Sequence, residues 1–312
     1  MLTSAAKGVY IISATPFHDD GRIDIASTDR LIEFYKESGV DGITVLGMMG
    51  EAPKLDAAEA QGFVKQVVGR ARDLPVIVGI SAPGFAAMRA LAESSMNAGA
   101  SGVMIAPPAS VKTDDHIVAY YADAVSAIGT GIPFVIQDYP LSTGVVMANS
   151  VIERIVAAHA SCVMLKHEDW PGLEKISAVR KAQSEGRMRQ ISILTGNGGL
   201  FLDFEMSRGA DGAMTGYAFP EMLVGVCRLM SSGKRDAAHD LFDAHLPLVR
   251  YEQQPGAGLA VRKYVLKRRG IIASDAQRKP GGSLSAAARA EVDYLLARLA
   301  RSQPAAAKLL AV

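Results

Sequence analysis

The stretch VYIISATPFHDDGRIDIASTDRLIEFYKESGVDGITVLG, residues 9–47, contains one complete unit of the predicted fold. It begins with a β-rich apolar run at 9–17, continues through an amphipathic stretch at 24–39 and ends in a second β-rich run at 42–47. These patterns predict a strand, a helix and a second strand. Gly39 stands where the helical stretch stops, as expected for a helix C-cap. The stretch is therefore predicted to be a βαβ crossover, which joins parallel strands.

The same rhythm fills the chain as far as residue 232. Six more β-rich runs alternate with amphipathic stretches, and they lie at 75–81, 102–108, 133–139, 162–168, 191–196 and 212–218. Eight such units predict an α/β fold with a closed (β/α)8 barrel, a TIM barrel, over residues 1–232. A doubly wound sheet is the alternative. It would need an early phosphate-binding fingerprint, but the glycine cluster at 196–199 lacks the G-x-G-x-x-G spacing and follows the seventh strand.

The pattern after residue 232 is entirely helical. Helical stretches cover 234–252, 257–270 and 283–302. We therefore predict a C-terminal helical extension, residues 233–312, packed on the barrel. Its last residues, 302–312, are expected to fray.

The composition excludes several function classes. The 312 residues carry a formal net charge of +1, with 49% apolar and 21% charged residues, which suits a soluble protein with a large core. The sequence has no apolar run long enough to span a membrane, for which about 18 residues are needed. The nearest approach to a basic stripe is interpreted as a solvated helix end, so no nucleic-acid partner is predicted. That stripe consists of Lys263, Lys267, Arg268 and Arg269.

The cysteines and histidines predict neither a metal site nor a disulfide framework. Cys162 and Cys227 are the two cysteines, with no C-x-x-C pair, and the six histidines are scattered. We expect a cytoplasmic protein, since the first twelve residues also do not form a secretion signal.

One lysine interrupts the sixth apolar run, CVMLKHED at 162–169. Alternation along a strand places Cys162, Met164 and Lys166 on one face. If that face points into the barrel, Lys166 lies at the carboxyl end, where the active sites of such barrels are found. Burial can lower the pKa of a lysine, and the neutral amine can attack a ketone to form an imine. The alternative is a lysine that extends to solvent from a strand end.

Several motifs together resemble the dihydrodipicolinate synthase/N-acetylneuraminate lyase superfamily, from about residue 7 to the C-terminal helices. They are ATPF (14–17), DDGRID (19–24), GMMGEA (47–52), IQDYPLSTG (136–144), VMLKHED (163–169) and GAMTG (212–216). The resemblance implies a class I mechanism, in which a lysine forms a covalent imine with pyruvate or another 2-oxo acid and no cofactor is required. Lys166 matches the imine lysine. A homodimer or homotetramer is also implied.

Three departures from the family pattern concern hydroxyl groups. The second loop of the family reads G-T-T-G-E or G-S-T-G-E, but here Met48 and Met49 replace both hydroxyl residues. The family tyrosine of the fifth strand corresponds to Gln137, and the P-Y-Y motif of the synthases corresponds to a stretch ending in Ala109. We therefore predict that the chain is not a true dihydrodipicolinate synthase. The change at Ala109 also removes one familiar contact between subunits.

One branch is similar on the fifth and eighth strands, although it is not methionine-rich in the second loop. The 2-keto-3-deoxy sugar-acid dehydratases are similar at I-Q-D-x-P and at G-A-M-T-G-x-x-F-P, residues 212–220. Further late positions fit the same branch, namely Glu252, Lys263, Arg269, Gly270, Arg278 and Pro280. We expect a lyase that dehydrates or cleaves a 2-keto-3-deoxy sugar acid, with dehydration preferred. A family member that only binds a 2-oxo acid, as a sensor or carrier, is the alternative. A metal-dependent aldolase is disfavoured because no His/Glu ligand set appears.

The predicted site has a carboxylate-binding loop and two acid/base candidates. The backbone amides of Met48, Met49 and Gly50 are expected to hold the substrate carboxylate, while the two thioethers form an apolar wall. Core packing is the alternative for both methionines. Glu168 and Tyr139 are the candidate acid/base groups, although both also suit structural roles at the rim.

Five further residues are predicted to line the pocket: Gln137, Gly196, Asn197, Thr215 and Gly216. Asn197 suits either a contact to sugar hydroxyls or a turn. Asp138 is expected to fix the turn after the fifth strand. Ser13 and Thr15 suit either hydrogen bonds near Lys166 or structural bonds at the end of the first strand, and the structural bonds are preferred.

Overall fold

The computed structural model describes residues 1–303 and contains eight strands in chain order. They are β1 Gly8–Ile12, β2 Gly42–Val45, β3 Val76–Gly79, β4 Gly102–Ile105, β5 Phe134–Asp138, β6 Cys162–His167, β7 Ser192–Thr195 and β8 Gly212–Ala213. Each strand pairs in parallel with the next, and β8 pairs with β1 to close the barrel. The predicted (β/α)8 barrel is confirmed.

Helices surround the barrel and continue beyond it. They are α1 Ile25–Glu37, α2 Ala57–Ala71, α3 Phe85–Asn97, α4 Asp114–Ile128, α5 Pro140–Thr143, α6 Asn149–Ala158, α7 Leu173–Ser184, α8 Leu202–Ser207, α9 Pro220–Ser231, α10 Arg235–Glu252, α11 Gly258–Arg268 and α12 Ala286–Ser302. In the first unit, the Asp24 carboxylate accepts the Ser27 amide and starts α1. Gly39 adopts the left-handed conformation, φ +75°, that ends it.

Two apolar layers place the site at one end of the barrel. The outer layer lies between the strands and the helices. The interior is filled by Leu2, Tyr10, Ile12, Ile77, Met104, Val135, Met164, Leu194 and Met214. Since these side chains occupy the amino-terminal and central part of the barrel, space for a ligand remains only above them, at the carboxyl ends of the strands.

Two local predictions need correction. The strand β8 ends at Ala213 and is therefore shorter than predicted. Beyond it, the Met214 amide still donates to the Thr195 carbonyl, and the Ile12 amide donates to the Thr215 carbonyl. Cys162 belongs to the outer apolar layer and not to the face of Lys166, because the β5–β6 register shifts between Phe134 and Val135. The regular alternation therefore begins only at Met164.

The C-terminal helices pack on the barrel's outer layer. α10 contacts α9, and α12 contacts α10 and α11. The boundary at residue 232 falls between α9 and α10 and stays a prediction. The expected fraying concerns residues 302–312, of which 304–312 lie outside the described residues. Within residues 1–303, no helix is both long and apolar enough to cross a membrane.

Candidate active site

A cavity of about 550 Å³ opens at the carboxyl ends of the strands. Nine of the eleven predicted site residues line it: Met48, Met49, Gln137, Tyr139, Lys166, Glu168, Asn197, Thr215 and Gly216. Gly50 and Gly196 lie behind this lining. The sequence thus placed residues from five different strand ends into one volume.

Lys166 and Glu168 form a buried ion pair inside the cavity. Both extend from β6 with the same parity, and Lys166 Nζ lies 3.1 Å from Glu168 Oε2. Their side chains are 5% and 7% exposed, so the pair is nearly removed from water. The strand brings them together because residues i and i+2 point to the same side. An amine and a carboxylate that can accept its proton therefore lie side by side in the cavity.

Three neighbours fix Glu168. Gln137 Nε2, on β5, donates to Glu168 Oε2 at 2.9 Å. The Asn197 side-chain amide donates to the Glu168 carbonyl oxygen at 3.1 Å. A Cβ atom at Gly196 would lie 2.3 Å from Glu168 Cγ, so only glycine leaves room for this side chain. We call Gln137, Lys166, Glu168 and Asn197 the lysine wall.

Tyr139 follows β5 and forms part of the cavity lining. Burial, and secondarily the nearby Glu168 carboxylate, raises the pKa of Tyr139 above the ordinary value of 10.0. The phenol therefore stays protonated throughout the physiological range and can donate a proton.

The segment Met48–Gly50, which we call the methionine loop, is a single 3-10 turn. Met48 is 52% exposed, while Met49 packs partly against the barrel interior. Among residues 1–303, nothing accepts a hydrogen bond from the amides of Met48 and Met49, which begin the turn. The Gly50 amide, by contrast, donates to the Gly47 carbonyl at 3.0 Å. Two of the three predicted amides, and not Gly50, are thus open to an anion.

Asp138 lies behind the wall, outside the barrel. Its Oδ2 is 2.6 Å from Lys175 Nζ and 3.6 Å from His167 Nδ1. Lys175 also contacts Asp169 at 2.9 Å. This network ties the ends of β5 and β6 to α7, which agrees with the structural role expected for Asp138.

Ser13 and Thr15 also make structural bonds. The Ser13 hydroxyl donates to the Ala14 carbonyl at 2.9 Å. The Thr15 hydroxyl donates to the Gly50 carbonyl at 2.7 Å. Thr15 therefore secures the end of the methionine loop to β1.

Sequence reasoning missed one complete side of the cavity. This side is formed by the last residue of α10, the turn that follows it and the start of α11. It consists of Glu252, Gln253, Gln254, Pro255, Gly256, Gly258, Leu259 and Arg262. The signal available in the sequence was QQPGAG at 253–258, a Pro/Gly turn between two amphipathic helices. Its position over the barrel mouth depends on tertiary packing.

The basic stripe is only partly the solvated helix end that was predicted. Lys267 is partly exposed, and Arg268 lies at the surface. Lys263 and Arg269 are buried, at 0% and 5% exposure, in ion pairs with Glu51 and Glu221. Two of the four cations thus stabilise the interior, since a buried charge requires a partner.

The described residues contain no group of three or more His, Cys, Asp or Glu side chains placed to hold a metal ion. The titratable groups that line the cavity are the Lys166 amine, the Glu168 and Glu252 carboxylates, the Tyr139 phenol and the Arg262 guanidinium.

A closed (β/α)8 barrel with a buried lysine beside a carboxylate at its mouth is the arrangement of lyases that act through a lysine imine. The chain belongs to the dihydrodipicolinate synthetase family, which matches residues 5–299. Members of this family are lyases that form a covalent Schiff base through a lysine and need no external cofactor.

Individual relatives cover nearly the whole chain. The 4-hydroxy-tetrahydrodipicolinate synthase of Chlorobium luteolum is 29% identical over 94% of this chain and 97% of its own length. The L-2-keto-3-deoxyarabonate dehydratase of Azospirillum brasilense is 28% identical over 95% and 96%. A crystal structure described as dihydrodipicolinate synthase from Rhodopseudomonas palustris is 64% identical, with a TM-score of 0.94, and covers 95% of this chain and 99% of that one.

These relatives do not support the prediction that dihydrodipicolinate synthesis is excluded. Both the Chlorobium relative and the Rhodopseudomonas structure carry the synthase description, and one relative carries that of a sugar-acid dehydratase. The missing hydroxyls at Met48, Met49 and Gln137 therefore describe an altered pocket without ruling out that reaction.

Proposed function

We propose that this chain is an imine-forming dehydratase of a 2-keto-3-deoxy sugar acid, with Lys166 as the nucleophile. The observation that carries the proposal is the 3.1 Å contact between Lys166 Nζ and Glu168 Oε2 inside the cavity. The description of the Azospirillum relative, an L-2-keto-3-deoxyarabonate dehydratase, supports the substrate class.

The first half of the reaction uses the ion pair directly. After Glu168 accepts a proton from its ammonium, the Lys166 amine attacks the C2 carbonyl of the substrate, and water leaves as the imine forms. The protonated imine withdraws electrons and acidifies the hydrogens on C3. C3 is bonded to the imine carbon, so a carboxylate beside the nitrogen is within reach of those hydrogens. Once the first proton has passed to the leaving water, Glu168 can remove a C3 proton and give an enamine.

The second half expels the hydroxyl group on C4. The enamine electron pair forms the C3–C4 double bond as the C–O bond breaks, and the hydroxyl takes a proton to leave as water. Tyr139, whose raised pKa keeps the phenol protonated, is the proposed donor. The C3 proton held by Glu168 then restores the Tyr139 phenol, and hydrolysis of the imine returns Lys166, with the net loss of one water from the substrate.

The state of Gln137 favours dehydration over retro-aldol cleavage. Cleavage begins with removal of the proton from the C4 hydroxyl, so it needs a base above C4. Gln137 occupies the position of the family tyrosine, and its amide donates to Glu168. A carboxamide cannot take up that proton. Dehydration needs a base only at C3, and Glu168, beside the Lys166 amine, is the proposed base there.

The remaining cavity residues are assigned to binding. The open amides of Met48 and Met49 would hold the C1 carboxylate, and their side chains would exclude water from the imine. Asn197, Thr215 and Gly216 line the side at the ends of β7 and β8, where the hydroxyls of a sugar acid would extend.

Product analysis with a substrate panel tests the proposal. The panel comprises L-2-keto-3-deoxyarabonate, a six-carbon 2-keto-3-deoxy acid and the substrates of 4-hydroxy-tetrahydrodipicolinate formation. We expect loss of one water from a sugar acid, without release of pyruvate. Release of pyruvate would replace dehydration by cleavage, and preferential formation of hydroxy-tetrahydrodipicolinate would overturn the proposal. Binding of 2-oxo acids without any turnover would instead support the sensor or carrier alternative.

We also propose that the chain forms a homodimer or homotetramer. Trp170, Phe201 and Phe204 are 44%, 39% and 47% exposed, and the Trp170 and Phe201 rings meet at 5.7 Å. Exposed aromatic groups of this kind mark association surfaces. Light scattering on the wild type and on Phe204→Asp is expected to show an oligomer that the substitution weakens; a wild-type monomer would contradict this.

A further inference from the structure

Two consecutive residues of α11 are buried cations that reach different walls of the cavity. Arg262 is 2% exposed and Lys263 is 0% exposed. Successive residues on a helix point about 100° apart. One helix can therefore contact the methionine loop and the end of β8 at the same time.

Lys263 contacts the residue that directly follows the methionine loop. Its Nζ lies 2.5 Å from Glu51 Oε1 and donates to the Ala276 carbonyl at 2.8 Å. The other carboxylate oxygen, Glu51 Oε2, accepts from Lys54 Nζ at 2.8 Å and from the Arg278 amide at 3.1 Å. Both oxygens of Glu51 thus receive donors, two of them from the C-terminal extension.

The backbone conformation of Glu51 restricts how this residue can attach the methionine loop to α11. Glu51 adopts the left-handed conformation, φ +56°, which side-chain-bearing residues rarely take. Its amide donates to the Met48 carbonyl at 3.1 Å and closes the turn. The conformation of Glu51 therefore sets the direction of the Met48 and Met49 amides.

Arg262 contacts the end of β8, as Lys263 contacts the end of the methionine loop. Its Nε lies 2.5 Å from Glu252 Oε1, and its Nη2 donates to the Gly216 carbonyl. A Cβ atom at Gly216 would lie 2.0 Å from Arg262 Nη1, so the guanidinium occupies the space that a side chain at 216 would need. The end of β8 is thereby held against the extension.

We propose that Lys263 is a positioning residue which, through Glu51, aims the Met48 and Met49 amides at the carboxylate of the 2-oxo acid. The inference rests on the proposed function, because it assumes that these amides bind that carboxylate. A buried ion pair contributes directional contacts more than net stability, which suits a role in aiming a loop. Arg262 holds the end of β8 independently, so α11 braces two separate parts of the cavity wall.

The test compares imine trapping at Lys166 for two carbonyl compounds. Pyruvate carries the carboxylate, and hydroxyacetone presents a similar ketone without it. Each is titrated with borohydride present, and the trapped fraction is read from the intact mass. For Lys263→Met we expect the half-saturating concentration of pyruvate to rise about tenfold, with that of hydroxyacetone unchanged. Lys267→Met, a partly exposed position on the same helix, is the control and should match the wild type.

A second variant separates positioning from folding. Lys263→Met leaves Glu51 without its buried partner and lowers stability, whereas Glu51→Gln with Lys263→Met removes both charges. We expect the double variant to recover thermal stability while its preference for pyruvate over hydroxyacetone stays reduced.

The outcomes distinguish the two claims. Equal losses for both compounds, or a Lys263→Met variant that traps pyruvate like the wild type, would overturn the positioning role. A wild type that traps no pyruvate would instead refute the proposed function.

Discussion

The lysine wall and the methionine loop face each other across one cavity but are built in different ways. The wall gains its geometry from the ladder between β5, β6 and β7, in which Gln137 pairs with Lys166. The loop has no strand ladder and is held by Thr15 and by a lysine 212 positions away in sequence. A regular ladder fixes side chains through local periodicity, whereas a loop depends on a few long-range contacts.

This difference separates two contributions to the reaction. In the proposed mechanism the amine of Lys166 and the base Glu168 lie on the rigid wall, where small errors in distance would slow chemistry. The amides proposed to bind the carboxylate lie on the loop, where sequence changes such as Met48 and Met49 leave the backbone amides in place. Variants of the wall should therefore lower kcat, and variants around the loop should raise KM.

The largest effect is expected from removing the amine. Lys166→Ala should lower turnover by about 10⁴-fold or more, because, within residues 1–303, Lys166 is the one lysine that lines the cavity. Steady-state rates with a 2-keto-3-deoxy acid measure this. Lys181→Ala, on the exposed side of α7, is the matched control and should retain full activity. Substantial activity of Lys166→Ala would break the assignment of the wall.

The next effect concerns the base. Glu168→Gln keeps the size of the side chain but loses the proton acceptor, so kcat should fall by about 10²–10⁴-fold. Imine trapping should be slower but still reach completion, because the lysine remains and its ammonium can lose the proton to solvent. Exchange of the C3 hydrogens in D₂O, followed by NMR, should be lost in parallel with turnover. Exchange at the wild-type rate would show that another group takes the C3 proton.

A smaller effect is expected when the space behind Glu168 is filled. Gly196→Ala places a Cβ atom 2.3 Å from Glu168 Cγ and must displace the carboxylate from Lys166. We expect kcat to fall about tenfold with little change in the trapping of pyruvate. Gly69→Ala, a helical position with open space around its Cβ, serves as the comparison. If Gly196→Ala raised KM alone, the division between wall and loop would fail.

The smallest effect on catalysis, together with a clear effect on stability, is expected at Glu205, a buried residue of α8. Burial raises the pKa of Glu205 from 4.5 to about 8. Between these two values the unfolded chain loses its proton first, so stability decreases as pH rises from 4.5 to 8. Glu205→Gln removes this loss. Its melting temperature should exceed that of the wild type by ~5 °C at pH 8.5 and by little at pH 5; a constant difference would contradict the assignment.

The sequence predicted the wall better than the loop for a physical reason. Strand periodicity and the position of Lys166 sufficed to place Lys166 and Glu168 together, and the resemblance located Gln137 beside them. The same periodicity misplaced Cys162, because an irregularity in the β5–β6 register is invisible in a pattern of period two. Alternation is reliable only where the ladder is regular.

The contribution of the C-terminal extension was largely beyond sequence reasoning. The three helices were predicted, but the turn at 253–258 gave no sign that it covers the barrel mouth. Lys263 was predicted to be solvated, but its side chain is buried in contact with Glu51. Pairing between charges so distant in sequence depends on how α11 docks, which local patterns do not encode.

The central claim is that Lys166 forms the imine, and borohydride trapping with peptide mapping tests it most directly. The protein is incubated with pyruvate or L-2-keto-3-deoxyarabonate, reduced and digested, and the mass of each lysine peptide is measured. The account predicts one adduct, on the peptide that contains Lys166, and none in Lys166→Ala. Absence of an adduct with every 2-oxo acid, or a stoichiometric adduct on another lysine, would contradict it.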